Sequence, residues 1–143
     1  MEGAELKRVL HVDDDPDILA VTRMALEKIG GMMLRQCARG GEAPAAAIEF
    51  APDLIVLDVM MPDMDGAATL KALRALPATA AIPVVFMTAK AQPEERASLL
   101  GLGALGVIVK PFNPLTLPDE LRRIWAARPA PTRTPPPGDP GSP

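Results

Sequence analysis

Polar side chains with distinct chemistries follow four short apolar segments of this chain, at the point where each segment ends. They are Asp13, Asp14, Asp58, Thr88 and Lys110. Apolar segments of this kind are typical of buried strands, and in open parallel α/β sheets ligands bind at the carboxyl ends of the strands. We therefore expect three carboxylates, a hydroxyl and an ammonium group to meet in one crevice.

Three carboxylates in one crevice repel one another, and a hard divalent cation with oxygen ligands relieves that repulsion. Mg²⁺ is the best match, because it binds through one or two carboxylates and leaves room for waters and phosphate oxygens. A phosphoryl group that arrives in line also needs a nucleophile, together with a cation and a hydroxyl for its remaining oxygen. Asp58, Lys110 and Thr88 have those chemistries, so the crevice is predicted to accept a phosphoryl group.

Short apolar segments alternate with helical patterns along most of the chain. Strands are predicted at Arg8 to Val12, Met32 to Cys37, Leu54 to Leu57, Pro83 to Met87 and Gly106 to Val109. Helices are predicted at Pro16 to Ile29, Gly41 to Phe50, Gly66 to Leu76, Gln92 to Leu102 and Leu115 to Ala127. The last three strands are continuously apolar, as in a parallel sheet covered by helices on both faces. Ile18, Val21, Ala25 and Ile29 share one face of the first helix, which we expect to be buried.

Composition limits the class of protein. With 143 residues, 15 basic and 18 acidic side chains and a net charge of −3, the chain suits one domain, and direct nucleic-acid binding is not expected. The single cysteine, Cys37, excludes an internal disulfide, and no signal-peptide pattern is visible, so we expect a soluble cytoplasmic protein. No apolar stretch approaches the ~18 residues that span a bilayer, so membrane insertion is not expected. Proline dominates residues 128–143, which predicts a disordered tail after a domain at residues 1–127.

Taken together, these motifs resemble the receiver domain of two-component response regulators over about residues 7–127. The acidic pair of that family matches Asp13-Asp14, and its phosphoacceptor matches Asp58 within Asp-x-x-Met-Pro-x-Met-Asp-Gly. Its switch hydroxyl matches Thr88, and its lysine matches Lys110 in Lys-Pro-Phe. The resemblance implies an α/β, flavodoxin-like (βα)5 fold, with a five-stranded parallel sheet in the order 2-1-3-4-5 and helices on both faces.

The resemblance also assigns a role to each matching residue. Asp58 would accept the phosphoryl group and, with Asp14, bind Mg²⁺ directly. Asp13 would orient a metal-bound water, and the backbone carbonyl of Met60 would be the last protein ligand. The phosphoryl group would be contacted by Thr88, Lys110 and the backbone amides of Met60 and Ala89. The Lys110-Pro111 peptide bond is expected to be cis, which would aim Lys110 into the site.

By the same resemblance the chain is expected to be a single-domain response regulator and not an enzyme, catalysing only its own phosphorylation and dephosphorylation. Its phosphoryl donor would be a sensor histidine kinase or a histidine phosphotransfer protein. The output would be a downstream protein that binds the face formed by the fourth helix, fifth strand and fifth helix, with the chain as a monomer or a phosphorylation-dependent dimer. Receivers often carry Tyr or Phe three residues before the lysine, where this chain has Val107. Thr88 and the loop after it are therefore expected to carry the conformational change.

A phosphatase of the haloacid-dehalogenase type is the alternative, with Asp13 as its nucleophile. Asp13 and Asp15 form the Asp-x-Asp pattern of that family after a strand, and a hydroxyl and a lysine follow in a similar order. That family needs a further acidic pair at a later strand end, whereas Asp119 and Glu120 lie within a predicted helix. A receiver-like adaptor that is never phosphorylated forms a third class, but it would be expected to lose acidic or lysine positions that this chain retains.

Three further residues have structural interpretations. Asp15 precedes Pro16 and is expected to cap the first helix. His11 lies inside a predicted buried strand and is interpreted as a neutral, packed side chain. Cys37 is interpreted as a small buried hydrophobic residue.

Overall fold

Five parallel strands and five helices make up this computed structural model, which describes residues 5–90 and 92–129. The strands are β1 (Arg8–Val12), β2 (Met33–Cys37), β3 (Leu54–Asp58), β4 (Val84–Thr88) and β5 (Gly106–Val109). The helices are α1 (Pro16–Arg23), α2 (Ala43–Phe50), α3 (Gly66–Arg74), α4 (Pro93–Gly101) and α5 (Leu117–Ala126). A π-helical segment at Met24–Ile29 continues α1, and a short 3-10 turn at Gly40–Glu42 precedes α2.

The strands pair in the order β2-β1-β3-β4-β5, and every pairing is parallel. The predicted fold class and strand order are therefore confirmed. In the register, Val12 lies beside both Cys37 and Leu57, and Thr88 lies beside Val109. The carboxyl ends of the strands are thus level with one another, which brings the residues that follow them to one edge of the sheet.

Helices cover both faces of the sheet, as the continuously apolar strands predicted. Alternate strand residues point to opposite faces, so two separate cores form. One core joins the sheet to α2, α3 and α4, and its largest members are Leu10, Ile55, Leu57, Phe86 and Leu73. The other joins the sheet to α1 and α5, and its members include Val9, Val56, Met87, Leu26 and Trp125. The sheet is consequently a rigid support for side chains at its carboxyl edge.

Proline and aspartate define where the helices begin. Proline occupies the first turn of α1, α2, α4 and α5, where its missing N–H leaves no hydrogen bond unmade. Asp15 caps α1 by accepting a hydrogen bond of 2.9 Å from the backbone N–H of Asp17, which confirms its predicted role. Asp65 caps α3 in the same way, accepting from the backbone N–H of Ala68 at 2.8 Å. These caps determine where α1 and α3 begin after the chain leaves the edge of the sheet.

The prediction that Ile29 lies on the buried face of the first helix is wrong. The N–H of Gly30 donates to the carbonyl of Ala25, five residues earlier, at 2.9 Å. A π-helical turn holds more residues than an α-helical turn, so side chains in this segment rotate around the helix axis relative to an α-helical pattern. Leu26 is fully buried as a result, whereas Ile29 remains 44% exposed.

Strand boundaries differ from the prediction by one residue at the functional edge. Asp58 and Thr88 are the last residues of β3 and β4, and the predicted strands ended one residue earlier. The backbone N–H of Val59 donates to the carbonyl of Met87 at 3.0 Å, so the pairing of these strands extends to Asp58 itself. Both side chains are therefore held by strand geometry and not by a loop.

Only the first two residues of the predicted tail lie within the described part of the chain. The guanidinium of Arg128 lies 3.5 Å from the centre of the Trp125 ring and donates to the Trp125 carbonyl. Residues 130–143, on which the prediction of disorder rests, lie outside the described residues.

Across the described residues, no helix combines the length and the apolar character needed to cross a membrane.

Candidate functional site

The carboxyl edge of the sheet brings the predicted acids and the lysine together. Asp13 directly follows β1, and its backbone N–H donates to the carbonyl of Cys37 at 3.1 Å. Asp58 is the last residue of β3. Lys110 directly follows β5, and its backbone N–H donates to the carbonyl of Thr88 at 2.7 Å. Backbone hydrogen bonds between neighbouring strand ends therefore hold the segments that carry these side chains. The predicted cis peptide bond between Lys110 and Pro111 is confirmed.

Lys110 bridges the two buried acids. Its Nζ lies 3.0 Å from Asp13 Oδ2 and 3.0 Å from Asp58 Oδ1. Asp13 is fully buried, Asp58 is 4% exposed, and the Lys110 side chain is 17% exposed. Burial disfavours the charged ammonium, but the hydrogen bonds that Lys110 donates to Asp13 and Asp58 outweigh this effect and raise the pKa of Lys110. Lys110 is thus a permanent cation at the site.

The carboxylates lie close enough together to hold a metal ion. Asp13, Asp14 and Asp58 each offer an oxygen, and these oxygens lie within 4.8 Å of one another. Asp14 is exposed, so the group is open to solvent on one side. One ammonium faces three carboxylates, which leaves excess negative charge for a cation to neutralise. Oxygen-only ligands and an open side fit Mg²⁺, which retains several waters.

Asp58 has an unusual affinity for protons. Burial raises its pKa from 3.8 to about 6, and the nearby charge of Asp13 adds to that effect. The hydrogen bonds from Lys110 and from the backbone of Met60 act in the opposite direction without cancelling it. A raised pKa at the edge of the sheet suits a carboxyl group that is to be neutralised by a cation or by covalent modification.

Asp13 is more tightly held than Asp58. Its Oδ1 accepts a hydrogen bond of 2.9 Å from the backbone N–H of Asp15, and its Oδ2 accepts from Lys110. With both oxygens engaged and no exposed surface, Asp13 is poorly placed to attack a substrate. The geometry does not support the phosphatase alternative, in which Asp13 is the nucleophile.

The remaining predicted residues lie in or directly after β3, β4 and β5. Thr88 is buried, and its Oγ1 accepts a hydrogen bond of 3.1 Å from the backbone N–H of Lys90. Ala89 is exposed, and Met60 is 68% exposed in the loop after β3. Val107, at the position where receivers often carry an aromatic ring, is packed into the core beside α4.

Two residues near the site were not assigned to it from the sequence. His11 is fully buried, and burial followed by the charge of Lys110 lowers its pKa to about 3, so the predicted neutral state is confirmed. Its Nε2 nevertheless lies 3.9 Å from Asp13 Oδ2. Gln36 lies directly beside His11 in the register of β1 and β2 and contacts the imidazole at 3.1 Å. This contact depends on strand pairing, and no sequence motif reports it.

Comparisons with known proteins agree with this geometry. The family model of the response regulator receiver domain matches residues 9–122. The chain belongs to the response regulator receiver family. Receiver domains are signalling modules of two-component systems and not metabolic enzymes, so the predicted family and its signalling class are confirmed.

Individual relatives show the extent of the match. The transcriptional regulatory protein PrrA of Mycobacterium tuberculosis is 39% identical over 110 residues, which are 77% of this chain and 46% of that protein. The DNA-binding dual master transcriptional regulator RpaA of Synechocystis is 36% identical over 108 residues, which are 76% of this chain and 44% of that protein. The chain therefore spans about half the length of the curated relatives it matches.

Solved structures of receivers match over most of their length. The chemotaxis protein CheY4 of Vibrio cholerae superposes with a TM-score of 0.76 and 35% identity, covering 83% of this chain and 98% of that one. A response regulator from Desulfuromonas acetoxidans gives a TM-score of 0.75 and 32% identity, with 82% and 95% covered. The single-domain organisation predicted from the sequence stays a prediction, because the matches include both short receivers and proteins of about twice the matched length.

Proposed function

We propose that this chain accepts a phosphoryl group on Asp58 from the phosphohistidine of a sensor histidine kinase or a histidine phosphotransfer protein, in a Mg²⁺-dependent reaction. The observation that carries the proposal is the Lys110 ammonium, which lies 3.0 Å from both buried acids beside the exposed Asp14. This arrangement joins a cation, a nucleophile and a group of metal ligands at one point.

Each residue has a role that its surroundings support. Asp58 is the nucleophile, since among side chains of the described chain only Lys110 donates to its Oδ1, whereas both oxygens of Asp13 accept hydrogen bonds. Asp14 and Asp58 would hold Mg²⁺ directly, together with the carbonyl of Met60, and Asp13 would orient a water on the ion. Mg²⁺ held there would supply positive charge that offsets the negative charge of the incoming phosphoryl group.

The third phosphoryl oxygen is bound by the protein itself. Lys110 neutralises it, and the Thr88 hydroxyl with the backbone amides of Met60 and Ala89 donates hydrogen bonds to the phosphoryl group. Lys110 and Thr88 exchange hydrogen bonds within the protein for bonds to the phosphoryl group, because Lys110 contacts Asp13 and Asp58 and Thr88 contacts the N–H of Lys90 in the unphosphorylated chain.

Thr88 couples the phosphoryl group to the rest of the fold. Its Oγ1 accepts a hydrogen bond from the backbone N–H of Lys90, which lies in the loop between β4 and α4. Rotation of the hydroxyl toward the phosphoryl group removes that hydrogen bond and releases the loop. The output is a change in the surface formed by α4, β5 and α5, where Leu100 and Leu102 are already 39% and 48% exposed. A downstream protein binds there, with the chain as a monomer or as a phosphorylation-dependent dimer.

Composition bears on the class of the downstream partner. With a net charge of −3, the described chemistry favours a protein target over direct contact with nucleic acid. The cytoplasmic location and the absence of membrane insertion expected from the sequence stay predictions.

Phosphoryl transfer from a radiolabelled phosphohistidine kinase tests the proposal. The wild type should be labelled only when Mg²⁺ is present, and Asp58→Asn should not be labelled at all. Asp63→Asn is the matched control, because Asp63 is an exposed acid in the loop after β3 and should leave labelling unchanged. Labelling of Asp58→Asn combined with loss of labelling in Asp13→Asn would contradict the proposal and favour the phosphatase mechanism.

A further inference from the structure

Within residues 5–90 and 92–129, two buried side-chain polar atoms have no hydrogen-bond partner, and one of them faces the site. They are His11 Nε2 and Thr22 Oγ1. His11 Nε2 lies 3.9 Å from Asp13 Oδ2, which is beyond hydrogen-bond distance. An unpaired buried donor is costly, so a donor kept beside a functional carboxylate calls for a physical explanation.

Gln36 determines which nitrogen of His11 carries the proton. The Nε2 of Gln36 donates to the carbonyl of Leu19 at 2.8 Å, and its Oε1 accepts from Arg23 Nε at 3.2 Å. These two contacts define the orientation of the amide, because the reverse orientation would oppose like groups at both. The second N–H of the amide meets His11 Nδ1 at 3.1 Å.

An amide nitrogen only donates, so Nδ1 of His11 is the acceptor in this contact. The neutral imidazole then carries its proton on Nε2, the atom that faces Asp13. Because Nδ1 accepts this hydrogen bond it carries no proton, so the contact with Gln36 also defines the ring as neutral. His11 thus presents a fixed N–H, and not a lone pair, to Asp13 Oδ2.

We propose that His11 is a positioning residue for Asp13, whose Nε2–H donates to Asp13 Oδ2 when Lys110 leaves that oxygen for the phosphoryl group. This inference rests on the proposed function, in which Lys110 neutralises a phosphoryl oxygen. Lys110 now donates to Asp13 Oδ2 at 3.0 Å, and its departure leaves a fully buried carboxylate oxygen without that partner. Closure of the 3.9 Å gap by about 1 Å pairs the oxygen with His11 and keeps Asp13 in place.

Nuclear magnetic resonance tests the contact directly, because His11 is the one histidine of the sequence. In ¹⁵N-labelled protein, long-range ¹H–¹⁵N spectra should give a protonated Nε2 and an unprotonated Nδ1. Addition of Mg²⁺ and beryllofluoride should move the Nε2-bound proton downfield and slow its exchange with water. Lys110→Ala without any ligand should produce the same change, since it also frees Asp13 Oδ2. An Nε2 proton that is unmoved in Lys110→Ala overturns the inference, whatever the beryllofluoride result.

Affinity measurements separate a positioning role from a packing role. His11→Phe should weaken Mg²⁺-dependent beryllofluoride binding about tenfold, as is usual when a hydrogen-bonding partner of a ligating group is removed. Gln36→Met retains His11 but frees its Nδ1, and should weaken binding in the same direction. Thr22→Val is the matched control, because Thr22 is the other buried residue with an unpaired polar atom, and its affinity should equal that of the wild type.

The outcomes distinguish this inference from the proposed function. Wild-type affinity in both His11→Phe and Gln36→Met overturns the positioning role while leaving phosphorylation of Asp58 intact. Failure of the wild type to bind beryllofluoride contradicts the proposed function, and the Lys110→Ala spectrum then decides the His11 contact by itself.

Discussion

Replacing Asp58 by asparagine should stabilise the unphosphorylated protein at neutral pH. The pKa of Asp58 is raised from 3.8 to about 6, chiefly by burial. A difference of about 2 pKa units corresponds to a cost of at most about 3 kcal/mol for ionised Asp58 in the folded state. Lys110 donates to Asp58 Oδ1, and the asparagine carbonyl keeps only part of that hydrogen bond. We therefore expect a gain of about 1–2 kcal/mol in the free energy of unfolding.

The gain should depend on pH in a defined direction. Between pH ~4 and ~6 the folded wild type binds more protons at Asp58 than the unfolded chain does, so its stability falls as the pH rises through this window. Above about pH 6 the cost is fully present, and below about pH 4 the carboxyl is neutral in both states. The advantage of Asp58→Asn should accordingly be largest above pH 6 and vanish near pH 4.

Urea denaturation at pH 4, 5, 6 and 7.5 measures this difference. Other titrating groups are shared by the two proteins and cancel when their free energies of unfolding are subtracted. At pH 7.5 each kcal/mol gained in the free energy of unfolding should raise Tm by about 4 °C for a domain of this size. Mg²⁺ should reduce the difference in free energy of unfolding between the two proteins, because it stabilises the wild type through Asp58 and stabilises Asp58→Asn less.

Two results would refute the reasoning. If Asp58→Asn is less stable than the wild type at pH 7.5, the hydrogen bond to Lys110 outweighs the burial of charge. If the difference is constant from pH 4 to 7.5, the carboxyl of Asp58 does not have the raised pKa on which the magnitude rests.

Three further predictions concern the site and its support. Lys110→Ala should leave Mg²⁺ affinity unchanged or slightly stronger, because a competing cation is removed, while the spectral response to beryllofluoride should be lost. The phosphorylated state should be long-lived, because Met60 and Lys90 are exposed side chains that do not orient a water for attack on the phosphoryl group. Met60→Asn with Lys90→Glu should accelerate phosphate release, with each tenfold change in rate equal to about 1.4 kcal/mol in the barrier. Gly66→Ala should destabilise the fold by about 1–3 kcal/mol in urea denaturation, because its Cβ would lie 2.5 Å from the backbone oxygen of Asp58.

Each of these has a contradicting outcome. An unaltered beryllofluoride response in Lys110→Ala would place the ammonium outside the phosphoryl site. A double variant of Met60 and Lys90 that releases phosphate no faster than the wild type would show that these side chains do not set the lifetime. Gly41→Ala is the control for Gly66→Ala, since nothing lies within 4 Å of its added Cβ, and equal stability of the two variants would remove the steric argument.

The sequence by itself determined the order of the elements and the acids and lysine at the edge of the sheet. Apolar runs ended by Asp58 and Lys110 are local features, and the carboxyl ends of parallel strands meet wherever such a sheet forms. The helix cap formed by Asp15 is local as well, and so are the prolines that begin the helices, because both depend on backbone groups within one turn. Such features are visible in sequence since each depends on residues close together in the chain.

Tertiary structure alone decided the contacts between segments. Gln36 meets His11 across 25 residues of chain because β1 pairs with β2 in one particular register. The π-helical winding that turns Ile29 outward arises as the first helix ends and the chain enters β2, and an α-helical period cannot anticipate it. Lys110 bridges Asp13 and Asp58 across 97 and 52 residues. A sequence pattern reports burial along one element, whereas distances between side chains of different elements follow from how the whole sheet is packed.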